Sequence, residues 1–511
     1  MSYANRMVLY GVLLCAIISI SACGKSSDDG APPAPTLQST RNAFLNSAQT
    51  GTVITSSATG TAKVGLDPAT NKLVGTMTII AAPATAITAM HVHDGAVGVD
   101  GGVVVGLTQT SPGVWTVDTA ATALTAAQIA KFKAAGFYVN VHTTTNPNGE
   151  IRGQLMSFTE DIQPIFTANC EACHFSGGRA GFTGLFLRPA DSYGTLVNKP
   201  AVQSTGMRVL PFDADNSVLY QRTAGIGFAS IVGERMPLEA PALSQHNQDL
   251  IKTWITMGAM DDNGVAQTPQ TPPTRTYTRQ AFLNSAQTGT TVASSITGSG
   301  TFVLDTATKK VSGTMVVTGT PSSAITVAHL HDGFVGVDGP PIVTLTSADS
   351  VTWTVLAGTD VLTDAQMNKL IAGGFYVNVH TTAVASGEIR GQLMSYAENV
   401  QTIFNGRCVF CHVVGGPAAF TGLLLTPLDS HGLLFNQLAT QPSATTAILI
   451  PPTAIGTRVI PFNSTDSVLY KRIIAAPGYE GSRQMPASAT PLSTNDMNLI
   501  KIWIDMGALN N

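Results

Sequence analysis

Two motifs in the chain place two cysteines and a histidine at the spacing C-x-x-C-H. Cysteines three residues apart lie on one helical turn, so both thiols can add to the vinyl groups of one haem. The adjacent histidine then lies under the iron as its proximal ligand. We therefore predict two covalently attached haems of the c type. The motif residues are Cys170, Cys173 and His174 in the first motif and Cys408, Cys411 and His412 in the second.

Paired cysteines also occur in redox dithiols and zinc sites. A redox pair is typical of a βαβ context, and a structural zinc site needs further cysteines. Neither accompanies the two motifs, because the remaining cysteines, Cys15 and Cys23, lie near the N-terminus. Haem attachment is therefore the chemistry we expect.

A sixth iron ligand is predicted from a repeated Met-Pro pair. Met236 and Met485 each stand before a proline, shortly before the last predicted helix of their region. A thioether on a proline-stiffened loop can approach the distal face of a haem, and Met/His ligation raises the reduction potential. Met257 and Met506, at the end of that helix, are the competing candidates. We predict Met236 and Met485 as the distal ligands.

Six histidines form a second repeated set. Strand alternation puts both histidines of HVHDG on one face, and the histidine of FYVNVH on a polar face. Such a set beside Glu150 or Asp94 would suit zinc or copper. The alternative, which we favour, is a hydrogen-bonded network in which Arg152 pairs with Glu150 and fixes the rings. The histidines are His91, His93 and His142 in the first copy and His329, His331 and His380 in the second.

Two observations limit the metal interpretation. The HVHDG strand resembles one in Cu/Zn superoxide dismutase, but that enzyme needs more histidines for its two metals than the three of each copy. The other histidines outside the motifs, His246 and His431, are unrepeated and are predicted to lie at the surface. We therefore expect no metal beyond the haem irons.

The chain consists of one unit that occurs twice. The segment TRNAFLNSAQTGT around Phe44 recurs as TRQAFLNSAQTGT around Phe282, and the histidines and cysteines recur at the same offset. The second copy gains residues near 441–457. The predicted regions are β-patterned at 41–157 and 279–395, cysteine-bearing at 158–262 and 396–511, and a Pro/Thr-rich linker at 263–278.

The β-patterned regions alternate like strands and predict an antiparallel β-sandwich or barrel. A short helix interrupts each, with capping boxes that begin at Thr125 and Thr363 and glycines at Gly136 and Gly373. The motifs HVHDG, FYVNVHT and GEIRGQL resemble those of the CHRD (chordin) domain over nearly the whole region in both copies. That resemblance implies the fold, and it points to the binding modules found in extracellular proteins.

The cysteine-bearing regions read as helix, C-x-x-C-H, a loop-rich middle and a final helix. Ser244 and Ser493 are the predicted N-caps of the final helices. This order is that of a small all-α class I cytochrome c. The pattern EDIQPIF, CEACH, SVLYQR, RMP and IKTWITMGA is similar to cytochrome c-like domains of planctomycete and proteobacterial secreted proteins. The resemblance implies haem c binding and electron transfer.

The N-terminus is predicted to direct export. Arg6 precedes an apolar run at 7–20, which is too short for a membrane-spanning helix but suits a signal peptide. The residues before Cys23 resemble a bacterial lipobox, which implies a signal peptide at 1–22, a lipid on Cys23 and a polar tether at 23–40. Gly24 in place of aspartate favours the outer membrane by the same resemblance. Simple secretion or an uncleaved anchor is the alternative.

Composition and motifs together define the functional hypotheses. Charged residues make up 11% of the chain and the net charge is -4, which gives no reason to expect nucleic acid as a partner. We expect a dihaem lipoprotein that exchanges electrons with a redox partner protein at the cell envelope, a carrier rather than a catalyst. The alternatives are a CHRD binding protein with auxiliary haems, and a haem peroxidase or metal-dependent oxidoreductase.

Overall fold

The computed structural model describes residues 37–51, 54–202, 204–226, 235–238, 240–288, 293–356, 361–441, 453–479, 484–487 and 490–511. The predicted signal peptide, the predicted lipidation site Cys23 and most of the predicted tether lie outside the described residues. Within the described part of the chain, no helix has the length and hydrophobicity needed to cross a membrane.

The first β-patterned region folds into eight antiparallel strands. They are β1 (Gln38–Leu45), β2 (Thr59–Asp67), β3 (Lys72–Ala81), β4 (Ile87–Asp94), β5 (Val103–Ser111), β6 (Val114–Val117), β7 (Phe137–Thr143) and β8 (Ile151–Gln154). Their order in the sheet is β1-β2-β3-β6-β5-β4-β7-β8. Bridges from Asn42 to Met156 and from Asn46 to Arg152 join the two outer strands. The sheet therefore closes on itself as a barrel, which the sequence left open against a sandwich.

The predicted short helix of this region is α1 (Ala126–Lys133), and its capping box is confirmed. The Thr125 hydroxyl accepts the Gln128 amide, while the Gln128 side chain accepts the Thr125 amide. Gly136 does not hold the left-handed position that was expected to end the helix. Ala135 holds it instead, with φ of 52°.

Among the described residues, four α-helices follow the first barrel. They are α2 (Gln163–Asn169), α3 (Ser192–Leu196), α4 (Val218–Ala224) and α5 (Gln245–Thr256). One turn of π-helix at Phe158–Ile162 leads into α2. The hydroxyl of Ser244 accepts the amide of Asn247, which confirms the predicted N-cap of α5. Barrel and helices bury one continuous apolar cluster.

The second β-patterned region repeats the barrel. Its strands are β9 (Thr276–Leu283), β10 (Thr297–Asp305), β11 (Lys310–Thr318), β12 (Ile325–Asp332), β13 (Pro341–Ser347), β14 (Thr352–Val355), β15 (Phe375–Thr381) and β16 (Ile389–Gln392). The order β16-β15-β12-β13-β14-β11-β10-β9 is the same topology, and bridges again join the outer strands. Its helix α6 (Asp364–Ile371) has the predicted capping box and is followed by Gly373 with φ of 76°.

The helices of the second copy are α7 (Gln401–Arg407), α8 (Ser430–Leu434), α9 (Val468–Ile473) and α10 (Thr494–Asp505). Ser493 caps α10 through its hydroxyl, as predicted. The added residues of this copy include a hairpin of β17 (Leu438–Gln441) and β18 (Thr453–Thr457). Here the helices bury an apolar cluster separate from that of the barrel.

A buried ion pair ties the first barrel to the helices behind it. Arg41 of β1 is fully buried and donates to the carboxylates of Asp161 and, at 2.9 Å, Glu160. In the second copy the equivalent Arg279 bonds Glu398 at 2.6 Å, and Asn399 stands where Asp161 would be. The first copy therefore carries one more buried charge at this joint.

We predict that Arg41→Ala lowers the free energy of unfolding by about 3–5 kcal/mol, because it leaves the carboxylate of Asp161 buried without its partner. Thermal or urea unfolding of the full chain measures the change. The matched control is Asp161→Asn, which copies the second repeat and should cost clearly less. Equal losses in the two variants would contradict this account of the joint.

Candidate functional site

The first C-x-x-C-H motif forms one helical turn at the end of α2. The amide of Cys170 donates to the carbonyl of Phe166 at 2.8 Å, and the amides of Cys173 and His174 donate to the carbonyl of Cys170 at 3.1 and 3.0 Å. Both thiols and the imidazole therefore belong to one turn, as the spacing predicted. All three side chains line the same cavity.

That cavity has a volume of about 580 Å³ and a largely apolar wall. Met236 lines it together with Cys170, Cys173 and His174. Met257, the competing candidate, is 1% exposed and packs in the apolar core, outside the residues that line the cavity. Met236, and not Met257, therefore lines the cavity that the motif also lines. The apolar lining includes Leu185, Leu187, Leu196, Val218 and Leu219.

The histidine of each motif is held by a backbone carbonyl. Nδ1 of His174 donates to the carbonyl of Leu185 at 3.3 Å, and Nδ1 of His412 donates to that of Leu423 at 3.0 Å. Burial lowers the pKa of both imidazoles, so both rings are neutral near pH 7. Each ring then presents Nε2, with its lone pair, as the atom that can bind a metal.

The second motif has the same local geometry. The amides of Cys411 and His412 donate to the carbonyl of Cys408 at 3.2 and 3.0 Å, in a turn that follows α7. Cys408 and Met485 pack against the same apolar cluster, whereas Met506 is 3% exposed inside it. The structure thus places the predicted thiol and thioether against one core in this copy as well.

All four cysteines of the motifs are free thiols, and none is paired in a disulfide. Burial raises the pKa of Cys170 and of Cys408 to about 12. A redox dithiol reacts as its thiolate, and a lowered pKa marks such cysteines. The raised pKa of Cys170 and of Cys408 therefore differs from that of a reactive redox dithiol.

The first cavity is completed by the second copy, which the sequence did not predict. Nε of Arg179, in the loop after the first motif, donates to the carbonyl of Gly406, two residues before Cys408. Ile403, Arg407 and Asp496 also line the cavity. No repeated pattern could reveal this contact, because it joins different faces of the two copies.

The six repeated histidines form two compact clusters, one on each barrel. His91 and His93 lie on β4, and the register of β4 with β7 sets His142 opposite Ala89 on the same side. The ring centroids of His91 and His142 are 5.1 Å apart, and both rings lie 5.6 Å from that of His93. One ring nitrogen from each lies within 4.8 Å of the other two. His329, His331 and His380 repeat the arrangement.

The predicted pairing of Arg152 with Glu150 is wrong. Arg152 donates to Asp100 at 3.0 Å and to the carbonyl of Val99 at 2.9 Å, with its guanidinium 3.4 Å from the ring centroid of Tyr138. Glu150 and Arg152 are two residues apart, so their side chains point in the same direction from the strand rather than towards each other. Each side chain therefore takes its partners from a different loop. Glu150 accepts hydrogen bonds from Ser56, Thr143 and Asn146.

Asp94, the other carboxylate considered near the cluster, pairs with Lys131 at 2.9 Å. Burial lowers the pKa of His91 and of His93, which favours neutral rings. The ring of His93 stacks on that of Tyr138, with centroids 5.0 Å apart. The predicted network is therefore not formed: Glu150 and Asp94 bond to other groups, and Arg152 reaches the cluster only through the Tyr138 ring that stacks on His93.

Of the two unrepeated histidines, His246 is exposed, as predicted, but the prediction for His431 is wrong. His431 lies half-buried against Tyr396, with centroids 5.2 Å apart, and its Nε2 donates to the carbonyl of Ala508 at 2.8 Å. It stands where Tyr193 stands in the first copy, whose hydroxyl donates to the carbonyl of Ala259. The imidazole N–H of His431 therefore takes the place of the tyrosine hydroxyl as the hydrogen-bond donor to the backbone after the last helix.

Comparison with known proteins identifies the barrels. The CHRD domain family matches residues 41–155 and 279–393, which are the two closed barrels with their histidine clusters. No curated protein and no solved structure matches the chain. The repeat predicted from the sequence is thus a repeat of CHRD domains, each followed by a helical region with one C-x-x-C-H turn.

Proposed function

We propose that this chain, which carries two CHRD domains, is a dihaem c-type cytochrome that transfers electrons at the cell envelope. The observation that carries the proposal is the first cavity, where two thiols, an imidazole and a thioether meet within an apolar wall. A volume of about 580 Å³ is in the range of small-molecule and cofactor sites. In this proposal the two helical regions are cytochrome c-like domains.

The residues present fit a c-type haem. Cys170 and Cys173 would each add a thiol S–H across a vinyl group, which leaves two thioether bonds to the protein. Nε2 of His174 and the sulfur of Met236 would hold the iron of the first haem, and His412 and Met485 would hold that of the second. The bound group supplies a reversible one-electron change at iron.

The chain's own residues favour a carrier over a catalyst. The wall of the first cavity is largely apolar, and Met236 and Met485 would each supply a thioether to the iron of their own domain. A peroxidase needs one position that a substrate can enter. The two similar sites therefore support electron exchange with a redox partner protein over turnover of a bound substrate.

A redox-controlled visible titration of the purified full chain tests this function. We expect a reversible change of the haem absorption bands, accounted for by two one-electron steps. A spectrum without a reversible change, or turnover of peroxide at a rate typical of peroxidases, would overturn the electron-carrier proposal. Absence of a reversible spectral change would also contradict the assignment of two bound haems, whereas peroxide turnover would leave that assignment in place.

The envelope location rests on the N-terminal segment and on Cys23, which we propose to be acylated. Cys23→Ser should leave an unprocessed precursor and abolish incorporation of labelled lipid, because the thiol is the atom that carries the lipid. Cys15→Ser, within the predicted signal peptide, is the control and should be processed normally. Normal maturation of the Cys23→Ser variant would instead mean ordinary secretion.

A further inference from the structure

We infer that each CHRD domain holds one late first-row transition metal ion, copper or zinc, on its three clustered histidines. This inference is independent of the haems, because it concerns the barrels alone. It also reverses the preference drawn from the sequence, where a hydrogen-bonded network was expected to occupy these rings. The sites are His91, His93 and His142 in the first domain and His329, His331 and His380 in the second.

Two of the three rings in the first domain carry their hydrogen on the nitrogen that points away from the cluster centre. Nδ1 of His93 lies 2.9 Å from the carbonyl of Gly101, and Nδ1 of His142 lies 2.9 Å from that of Pro147. A carbonyl oxygen can only accept, so Nδ1 carries the hydrogen in both rings. In the tautomer that has a single hydrogen on Nδ1, Nε2 of each ring is a bare lone pair. A backbone carbonyl in this role is the usual outer contact of a metal-binding histidine.

Buried nitrogens of the first cluster have no protein partner among the described residues. Nε2 of His93, Nε2 of His142 and Nδ1 of His91 are buried and, within the described residues, have no hydrogen-bond partner. An unsatisfied buried polar atom costs about 1–3 kcal/mol, and such atoms call for an explanation when they cluster. A metal ion bound by Nε2 of His93, Nε2 of His142 and one ring nitrogen of His91 would satisfy these atoms together, and one ligand atom from each ring lies within 4.8 Å of the other two.

The second domain gives the same result more directly. Nε2 of His331 lies 3.4 Å from Nε2 of His380, while Nδ1 of each ring lies 2.9 Å from a carbonyl oxygen. Two acceptor lone pairs that face each other at that distance repel, and either a proton shared between the rings as a hydrogen bond or a metal ion bound by both relieves the repulsion. Nδ1 of His329 is again buried without a partner among the described residues. Two copies with different loops thus keep one arrangement.

The surrounding residues position the rings. A Cβ on Gly101 would overlap the carbonyl oxygen of Asp94, so only glycine lets this loop bring its carbonyl to His93. The ring of Tyr138 stacks on the ring of His93, and the guanidinium of Arg152 stacks on that of Tyr138. Gly339, Tyr376 and Arg390 make the same contacts in the second domain. The cluster is thus preorganised by a supporting shell.

The donor set defines the class of ion. Three imidazoles with no carboxylate among them do not suit calcium or magnesium, which take oxygen ligands. Imidazole suits zinc, copper, nickel and iron, and affinity in the divalent series rises to its maximum at copper. Glu150 is occupied by hydroxyl and amide donors and Asp94 by Lys131, so neither adds a fourth protein ligand.

The test is metal content of the full chain, purified without a polyhistidine tag. After chelation and dialysis, the protein is titrated with Cu(II) alone and, separately, with Zn(II) alone, and bound metal is counted by elemental analysis. We expect two copper or zinc ions per chain, apart from haem iron, and nitrogen hyperfine structure in the spectrum of bound Cu(II). Iron is counted in the same sample, so failure here is distinct from failure of the haem proposal.

Variants assign the ions to the clusters. His142→Ala should reduce the count from two to one, and His142→Ala with His380→Ala should reduce it to none, whereas exposed His246→Ala should leave two. Less than one ion per wild-type chain in both titrations overturns the inference, and this count does not depend on any variant folding. Two ions retained in the double variant would overturn it as well. His91→Gln with His329→Gln repeats the test with a milder change.

Discussion

Replacing Cys408 and Cys411 by serine should reduce the covalent haem of the purified protein from two groups per chain to one. Serine hydroxyls do not form thioethers with vinyl groups, so the second site loses both of its bonds. The first motif keeps its own thiols and its turn at the end of α2. Covalent haem, measured as absorbance that stays with the chain after denaturation and acid-acetone extraction, should fall by half.

The reciprocal variant, Cys170→Ser with Cys173→Ser, is the matched control and should also leave one haem. The CHRD barrels test for folding, because their strands carry none of these cysteines. A full complement of covalent haem in either variant would mean that the changed thiols do not bind it. Loss of both haems in one variant, with folded barrels, would mean that the two sites assemble together rather than independently.

A second large effect is expected at the distal ligand. Met236→Leu and Met485→Leu keep the volume and apolar character of the side chain but remove its sulfur. Each change should abolish the weak sulfur-to-iron absorption band of its own haem and lower that haem's reduction potential by on the order of 0.1 V. The double variant should lack the band altogether.

Met257→Leu with Met506→Leu is the control for the second effect. Both methionines are buried in apolar cores, at 1% and 3% exposure, and Met257 does not line the first cavity. Their replacement should leave the band and both potentials unchanged. If the band survives in the Met236 and Met485 double variant but disappears in the control, Met257 and Met506 are the iron ligands instead.

Local patterns in the sequence predicted local structure well. The capping boxes at Thr125 and Thr363 and the serine caps of α5 and α10 are present, because each depends only on side chains within one turn. Strand alternation also placed His91 and His93 on one face. The CHRD resemblance is matched by the family at 41–155 and 279–393.

Features that depend on distant residues were not predictable. Closure of the barrel depends on bridges between β1 and the end of β8, which alternation within a strand cannot specify. Arg152 binds Asp100 rather than Glu150, because a loop far along the sequence brings a better acceptor. The contact of Arg179 with Gly406 joins the two copies through unlike faces. The lack of hydrogen-bond partners for the buried histidine nitrogens, within the described residues, depends on every strand and loop that packs around them, and strand alternation does not specify that packing.

The most direct test of the central claim is peptide mass spectrometry of the mature wild-type protein from cells that mature c-type cytochromes. We predict that the peptide with Cys170 and Cys173 and the peptide with Cys408 and Cys411 each carry one haem, bound through both cysteines. Unmodified thiols or disulfides in both peptides would contradict the account, and the two helical regions would then need another function.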